Sequence, residues 1–270
     1  KGLLENNIIS DSAANLVVID TKSVPLLENN DIFKAGANAV LIASFAKPVL
    51  RGNTIKNNGE AAVCVQTAAE PTIVDNTIES NASSGISVCQ GGLGTIEANK
   101  IISNNVAGIS SVDSSPVILA NVITDTTGVG ILVSGNGRGL MKDNVITGCT
   151  GTCSFEVRDG ADPKVVDNTM SDSKECGLLV WSNACGTYSG NHIFNVALAG
   201  IEVEEHAQEK GGQMPQFERN SVHDCQQAGV HVHNGGWAQF KENTVFDNAL
   251  AGFELSGNSQ VRLVGNQIYG

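Results

Sequence analysis

Glu202-Val203-Glu204 and His231-Val232-His233 hold the densest concentration of reactive side chains in this chain. In each triplet two ionisable residues flank an apolar one. On an extended strand residues two apart point the same way, at roughly 6.5–7 Å. Two carboxylates so spaced suit the paired-acid chemistry of glycoside hydrolysis. A histidine beside them adds a group that exchanges its proton near neutral pH, or a metal ligand. Trp181 and Glu254 lie on either side in sequence. Whether these six residues form one patch depends on the elements that stack them.

Those elements are written into a repeat. Asn-x-Ile, or Val or Met for Ile, recurs at Asn7, Asn30, Asn53, Asn76, Asn99, Asn121, Asn144, Asn168, Asn191, Asn220, Asn243 and Asn266. The spacing is 22 to 24 residues throughout, except for 29 between Asn191 and Asn220. An apolar residue stands three before each Asn and another two after it. A second apolar alternation follows ten and twelve residues after, as in Val63/Val65, Ile86/Val88 and Ile201/Val203. Alternation over three to five residues is a strand signal, and Gly, Asn, Asp and Ser punctuate it at turns. Short strands in register at this period predict an all-β, single-stranded, right-handed parallel β-helix of about twelve coils. At ~4.8 Å per rung the rod is roughly 55 Å long.

The recurring asparagines are expected to form an internal ladder, each amide bonding the next, because a buried polar group needs partners. A looser row, Asp11, Asn57, Asn81, Asn104, Asp125, Asp172, Asn195, Asp224 and Asp247, reads as turn chemistry. Leu50, Ile73, Ile96, Ile118, Met141, Val165, Tyr188, Phe217 and Phe240 form one inward column that ends in an aromatic stack.

Positions eleven and thirteen after each Asn face outward. In the N-terminal half they are bland: Val18, Leu41, Cys64, Ser87, Ser110 and Leu132 in one column, Asp20, Ala43, Gln66, Cys89, Val112 and Ser134 in the other. In the C-terminal half they become Leu179, Glu202, His231, Glu254 and Trp181, Glu204, His233, Ser256, with Glu156 and Arg158 nearby. Neighbouring rungs then put His231 ~5 Å from Glu202 and Glu254. The coil of 29 residues inserts its extra length after this strand, as a loop at 205–214. Three readings compete for the patch: a charged solvent face, a protein-docking surface anchored by Trp181 and Trp237 with the carboxylates as a polar rim, and a chemical site.

Composition narrows the field. The 270 residues carry a net charge of −12, which argues against nucleic acid. No apolar stretch reaches transmembrane length, so no membrane partner is expected. The seven cysteines sit at different offsets, so most are not expected to face one another, and reduced thiols in an intracellular, cytoplasmic setting are the expectation. Aromatic residues are 4% of the chain and read as inward or scattered, which leaves few platforms for stacking a glycan. No Cys-His or Met-rich cluster points to a metal, and no metal or cofactor is expected. With no break in composition the chain reads as one domain, 1–270. It opens inside a repeat and stops in mid-coil, so a piece of a longer polypeptide is expected.

Lys1-Gly2-Leu3-Leu4-Glu5-Asn6-Asn7-Ile8-Ile9, Pro48-Val49-Leu50-Arg51-Gly52-Asn53-Thr54-Ile55 and Ala249-Leu250-Ala251-Gly252-Phe253-Glu254-Leu255 resemble the parallel β-helix repeats (PbH1) of F-box-only ubiquitin-ligase receptors and SHC-SH2-domain-binding proteins. NosD-like proteins share the broad repeat. The resemblance covers the whole chain. In the eukaryotic relatives it implies protein binding without catalysis, although the same coil also occurs in polysaccharide lyases and epimerases. No F-box is present, and neither is the Tyr-Gly-x-Asp-Pro-His stretch of alginate epimerases. The expected function is therefore a non-catalytic scaffold or substrate-recognition module for a protein partner. The alternative is a carbohydrate-active β-helix with a Glu/His site in the C-terminal half.

Overall fold

The computed structural model describes residues 2–205 and 213–270. Most of the 205–214 loop, residues 206–212, lies outside the described residues. Three parallel sheets run the length of the rod, two of twelve strands and one of eleven. One coil shows the plan: Val49–Arg51 in the first sheet, Thr54–Lys56 in the second, Val63–Val65 in the third. Each strand pairs with its copy one coil away, as Leu50 with Ile73 and Cys64 with Ser87. Among the described residues there is no helix.

The predicted inward columns are buried from Leu27 to Phe240. Tyr188 stacks on Phe217 at 4.7 Å and Phe217 on Phe240 at 4.6 Å between ring centroids. The Tyr188 hydroxyl donates to the Cys185 carbonyl at 2.6 Å, which satisfies its one polar atom in the core.

The asparagine ladder is continuous and does more than join side chains. The backbone N–H and the side-chain amide of Asn99 both donate to Asn121 Oδ1, at 3.0 Å each. Asn121 does the same to Asn144, and its amide also reaches the carbonyls of Ile96 and Leu119. The residue before each ladder asparagine has a positive φ, from Asn6 to Gly265. That left-handed residue turns the chain sharply and aims the next side chain inward.

The looser row divides in two. Asp11, Asn57, Asp125, Asp172, Asn195, Asp224 and Asp247 take positive φ at the second corner, as turn residues. Asn81 and Asn104 do not. They sit five residues after the ladder asparagine rather than four, are buried, and continue a second ladder from Asn58 at 2.8 and 2.9 Å.

Glycine precedes the third-sheet strands because two coils approach closely there. A Cβ on Gly130 would lie 2.3 Å from Ile146 Cγ2 and 2.5 Å from the Ser154 carbonyl oxygen.

Asn121→Ala leaves the Asn99 backbone N–H without its acceptor, while the Asn99 amide keeps the Ile73 and Glu97 carbonyls and the Leu119 carbonyl keeps the Ala98 N–H. The expected loss is about 1–3 kcal/mol in urea unfolding, while Asn7→Ala at the exposed end of the ladder costs under about 1 kcal/mol. Equal losses at the two positions would contradict this account of the ladder.

Candidate functional site

The outward column of the third sheet runs Leu132, Glu156, Leu179, Glu202, His231, Glu254 in strict register. Trp181, Glu204 and His233 follow at the strand ends. Their backbone N–H groups still bond the previous coil, at Val157, Val180 and Val203. The side chains therefore leave from a fixed backbone.

Their contacts are diagonal rather than straight across. Glu202 is in register with His231, yet its Oε1 meets His233 Nε2 at 2.8 Å. The other ring nitrogen, Nδ1, faces Glu204 Oε2 at 3.7 Å. Asn234 donates to that same Glu204 oxygen at 3.2 Å. The His231 ring stacks on His233 with centroids 4.2 Å apart, and its Nε2 reaches the Ser256 hydroxyl at 3.3 Å. Glu202, His231 and His233 each bring one ligand atom into a set no more than 4.8 Å apart. No metal was expected from the sequence, which lacks soft-ligand clusters; this set is built instead from two imidazoles and a carboxylate. Glu254 is exposed and makes no hydrogen bond or ion pair with the described residues.

Trp181 is half-buried, and its indole N–H donates to Glu156 Oε1 at 2.9 Å. Arg158 lies over the indole ring at 5.8 Å, and its Nε is 3.5 Å from the same Glu156 oxygen. Glu156 is only 7% exposed, so indole and guanidinium replace the water it lost. Glu156 and Arg158 are thus integral to the patch, although the sequence placed them only beside it. Beneath it, Cys153 and Cys176 face one another in register. The different offsets were expected to keep most cysteines apart; the one extra residue of the 24-residue coil between Asn144 and Asn168 brings these two into register. The Cys153 thiol, burial and the nearby Glu202 push the Cys176 thiol well above its ordinary range. All seven cysteines are free.

The second sheet holds a feature the sequence reading missed. Phe194, His223, Phe246 and Tyr269 occupy the third position after successive ladder asparagines and stack in one exterior row, at 5.5, 4.6 and 5.4 Å. These aromatics are neither inward nor scattered, and the signal was their shared offset. Their faces cover one another. Beside them His192 Nε2 meets His223 Nε2 at 2.7 Å.

The grooves of the molecule lie elsewhere. One of about 660 Å³ runs past Lys34, Asn57 and Asn81, and one of about 620 Å³ past Phe194, Asp224 and Asp247. The Glu/His patch lines neither of these two. No helix is long and apolar enough to cross a membrane.

Two outcomes test this geometry. Trp181→Phe removes a donor from a buried carboxylate and is expected to cost about 1–3 kcal/mol in urea unfolding; no loss would mean that Thr152 and Arg158 suffice to hold Glu156. Burial first, then the neighbouring His223, pushes the His192 pKa below 6.5. The unfolded chain therefore binds that proton first as pH falls. Stability should drop on acidification below about pH 6.5, and His192→Gln should flatten the drop between about pH 7 and 5. The lowered aspartates, such as Asp172, act below 3.8 and leave this window clear.

The A-module of a mannuronan C-5 epimerase of Azotobacter vinelandii superposes with a TM-score of 0.58 at 15% identity, over 92% of this chain and 87% of that one. A periplasmic alginate epimerase gives 0.51 at 12%, over 93% and 78%. The catalytic unit of a thermostable α-1,3-glucanase from Streptomyces thermodiastaticus gives 0.53 at 12%, over 99% of this chain but 63% of that one. At such identities the likeness is one of fold. No curated protein matches the sequence. The model of the right-handed β-helix region matches residues 2–139 and 117–268, and does not single out the F-box-receptor, SHC-SH2-binding or NosD-like branches. Matched over nearly its whole length, the chain belongs to the right-handed β-helix family.

Proposed function

We propose that this β-helix acts on a carbohydrate, which it meets on the outer face of the third sheet near its C-terminal end. The observation that carries the reading is His233 held between two carboxylates, with Glu202 on Nε2 and Glu204 on Nδ1. A docking rim has no need of such an arrangement. Acid–base chemistry does, because an imidazole can take a proton on one nitrogen and release one from the other. Glu202 and Glu204 are then the proton-transferring pair, and His233 returns the proton between turnovers.

The docking role expected from the sequence needed Trp181 as a free anchor. Trp181 is instead half-buried, with its N–H on Glu156 and Arg158 over its ring. The carbohydrate-acting neighbours support the reading by showing that this fold carries such chemistry, while the residues must argue for themselves. Four carboxylates, Glu156, Glu202, Glu204 and Glu254, face the patch against a single arginine. That balance suits a neutral glycan and repels a polyuronate.

The test is a panel of neutral and acidic polysaccharides, assayed for retention by the purified protein and for release of new reducing ends. A neutral polysaccharide should be retained and modified. Glu202→Gln should lower turnover about 10²–10⁴-fold with the fold unchanged. If the native protein neither retains nor modifies any member of the panel, the reading fails.

A further inference from the structure

We propose that Glu202, His231 and His233 form a binding site for one divalent transition-metal ion, zinc by its ligand chemistry. His231 and His233 are two residues apart on one strand and face outward together, and Glu202 comes from the neighbouring strand in register with His231. The three ligand atoms lie within 4.8 Å of one another. A zinc ion about 2.0–2.2 Å from each nitrogen or carboxylate oxygen would draw them closer, by rotation of side chains on a backbone that need not move. His231 has the furthest to turn, because its Nε2 holds the Ser256 hydroxyl.

A Glu–His ion pair alone would account for the 2.8 Å contact between Glu202 and His233. It does not account for the second imidazole stacked beside the first. Nor does it account for the second carboxylate. Glu204 faces His233 Nδ1 at 3.7 Å and is itself fixed by Asn234. A carboxylate facing the far nitrogen, here at ion-pair distance and not hydrogen-bonded, is placed to favour Nε2 as the ligand atom. The pair is also sheltered, with side-chain exposures of 16% for His233 and 22% for Glu202. Two imidazoles and one carboxylate suit zinc and its first-row neighbours, and do not suit calcium or magnesium. Three protein ligands leave a fourth position open for water or a second ligand. The ligand geometry carries this inference independently of any glycan, and an ion bound here takes Glu202 and His233 out of the proton transfer proposed above.

A ligating imidazole nitrogen must be free of its proton, so the contact between Glu202 and His233 Nε2 opens as the metal enters between them. Binding should therefore weaken on acidification.

Metal-stripped full chain would be titrated with zinc alone by calorimetry, and with cobalt(II) followed by visible absorption. One equivalent per chain is expected, with cobalt bands of nitrogen–oxygen ligation and no sulfur charge-transfer band. Glu204→Gln should weaken zinc binding about 10–100-fold. His231→Gln with His233→Gln should abolish it, with circular dichroism unchanged. Glu254→Gln should leave it unaltered, because Glu254 is outside the set. Absence of stoichiometric binding would overturn the proposal. So would binding that survives the double variant, or is lost in His192→Gln with His223→Gln, or carries a sulfur band. Because metal ions are the only probes, these results stand whether or not any polysaccharide is turned over.

Discussion

The structure rests on hydrogen bonds that run along the rod rather than across it. Each strand is only three to six residues long, too short to hold a register alone. What fixes the register is that every coil presents the same groups at the same height to the next. The asparagine ladder is the strictest form of this demand. One amide oxygen accepts two N–H donors from the coil below, and one amide nitrogen supplies the coil above and two carbonyls. A side chain of another shape at that position leaves a buried backbone N–H without its acceptor. The apolar columns supply most of the free energy, but they would tolerate a slip that the ladder does not.

A rigid ladder has a consequence for the outer face. The backbone of Glu202, Glu204, His231 and His233 is set by pairing that continues past the strand ends. Outward side chains thus start from positions fixed to the same degree as the core. This is how a sheet face can set a carboxylate near each nitrogen of one imidazole. Chemistry on such a face depends on preorganised neighbours more than on enclosure.

The fold was legible because its signals repeat. Twelve asparagines at one period average away local ambiguity, and the inward columns followed from counting. The site was legible only in outline. Counting along columns brought Glu202, His231 and Glu254 together, since they share an offset. It did not anticipate that Glu202 would lean diagonally to His233, or that Glu254 would remain in solvent. Column logic knows which residues are adjacent, while side-chain torsions and local charge decide which of two neighbours is taken. The same limit applies to Trp181. Its outward offset was correct, but its indole N–H found Glu156, whose burial created the need for a donor. The second asparagine row at Asn81 and Asn104 was misjudged by a single residue of offset, which at a left-handed corner separates an exposed turn from the interior.

The ladder closes equally well across unequal lengths of chain. Asn99 reaches Asn121 over 22 residues at 3.0 Å, and Asn191 reaches Asn220 over 29 residues at 2.9 Å. Alignment of rungs is thus insensitive to the contour length of the corner between them. The corner after the third sheet is a place where the perimeter of one coil can grow without any change to its neighbours. Its described part begins at Glu205, which follows Glu204 in sequence and whose N–H bonds the Asn234 carbonyl. Such a scaffold can lengthen one loop at no cost to the geometry of the sheet residues that precede it.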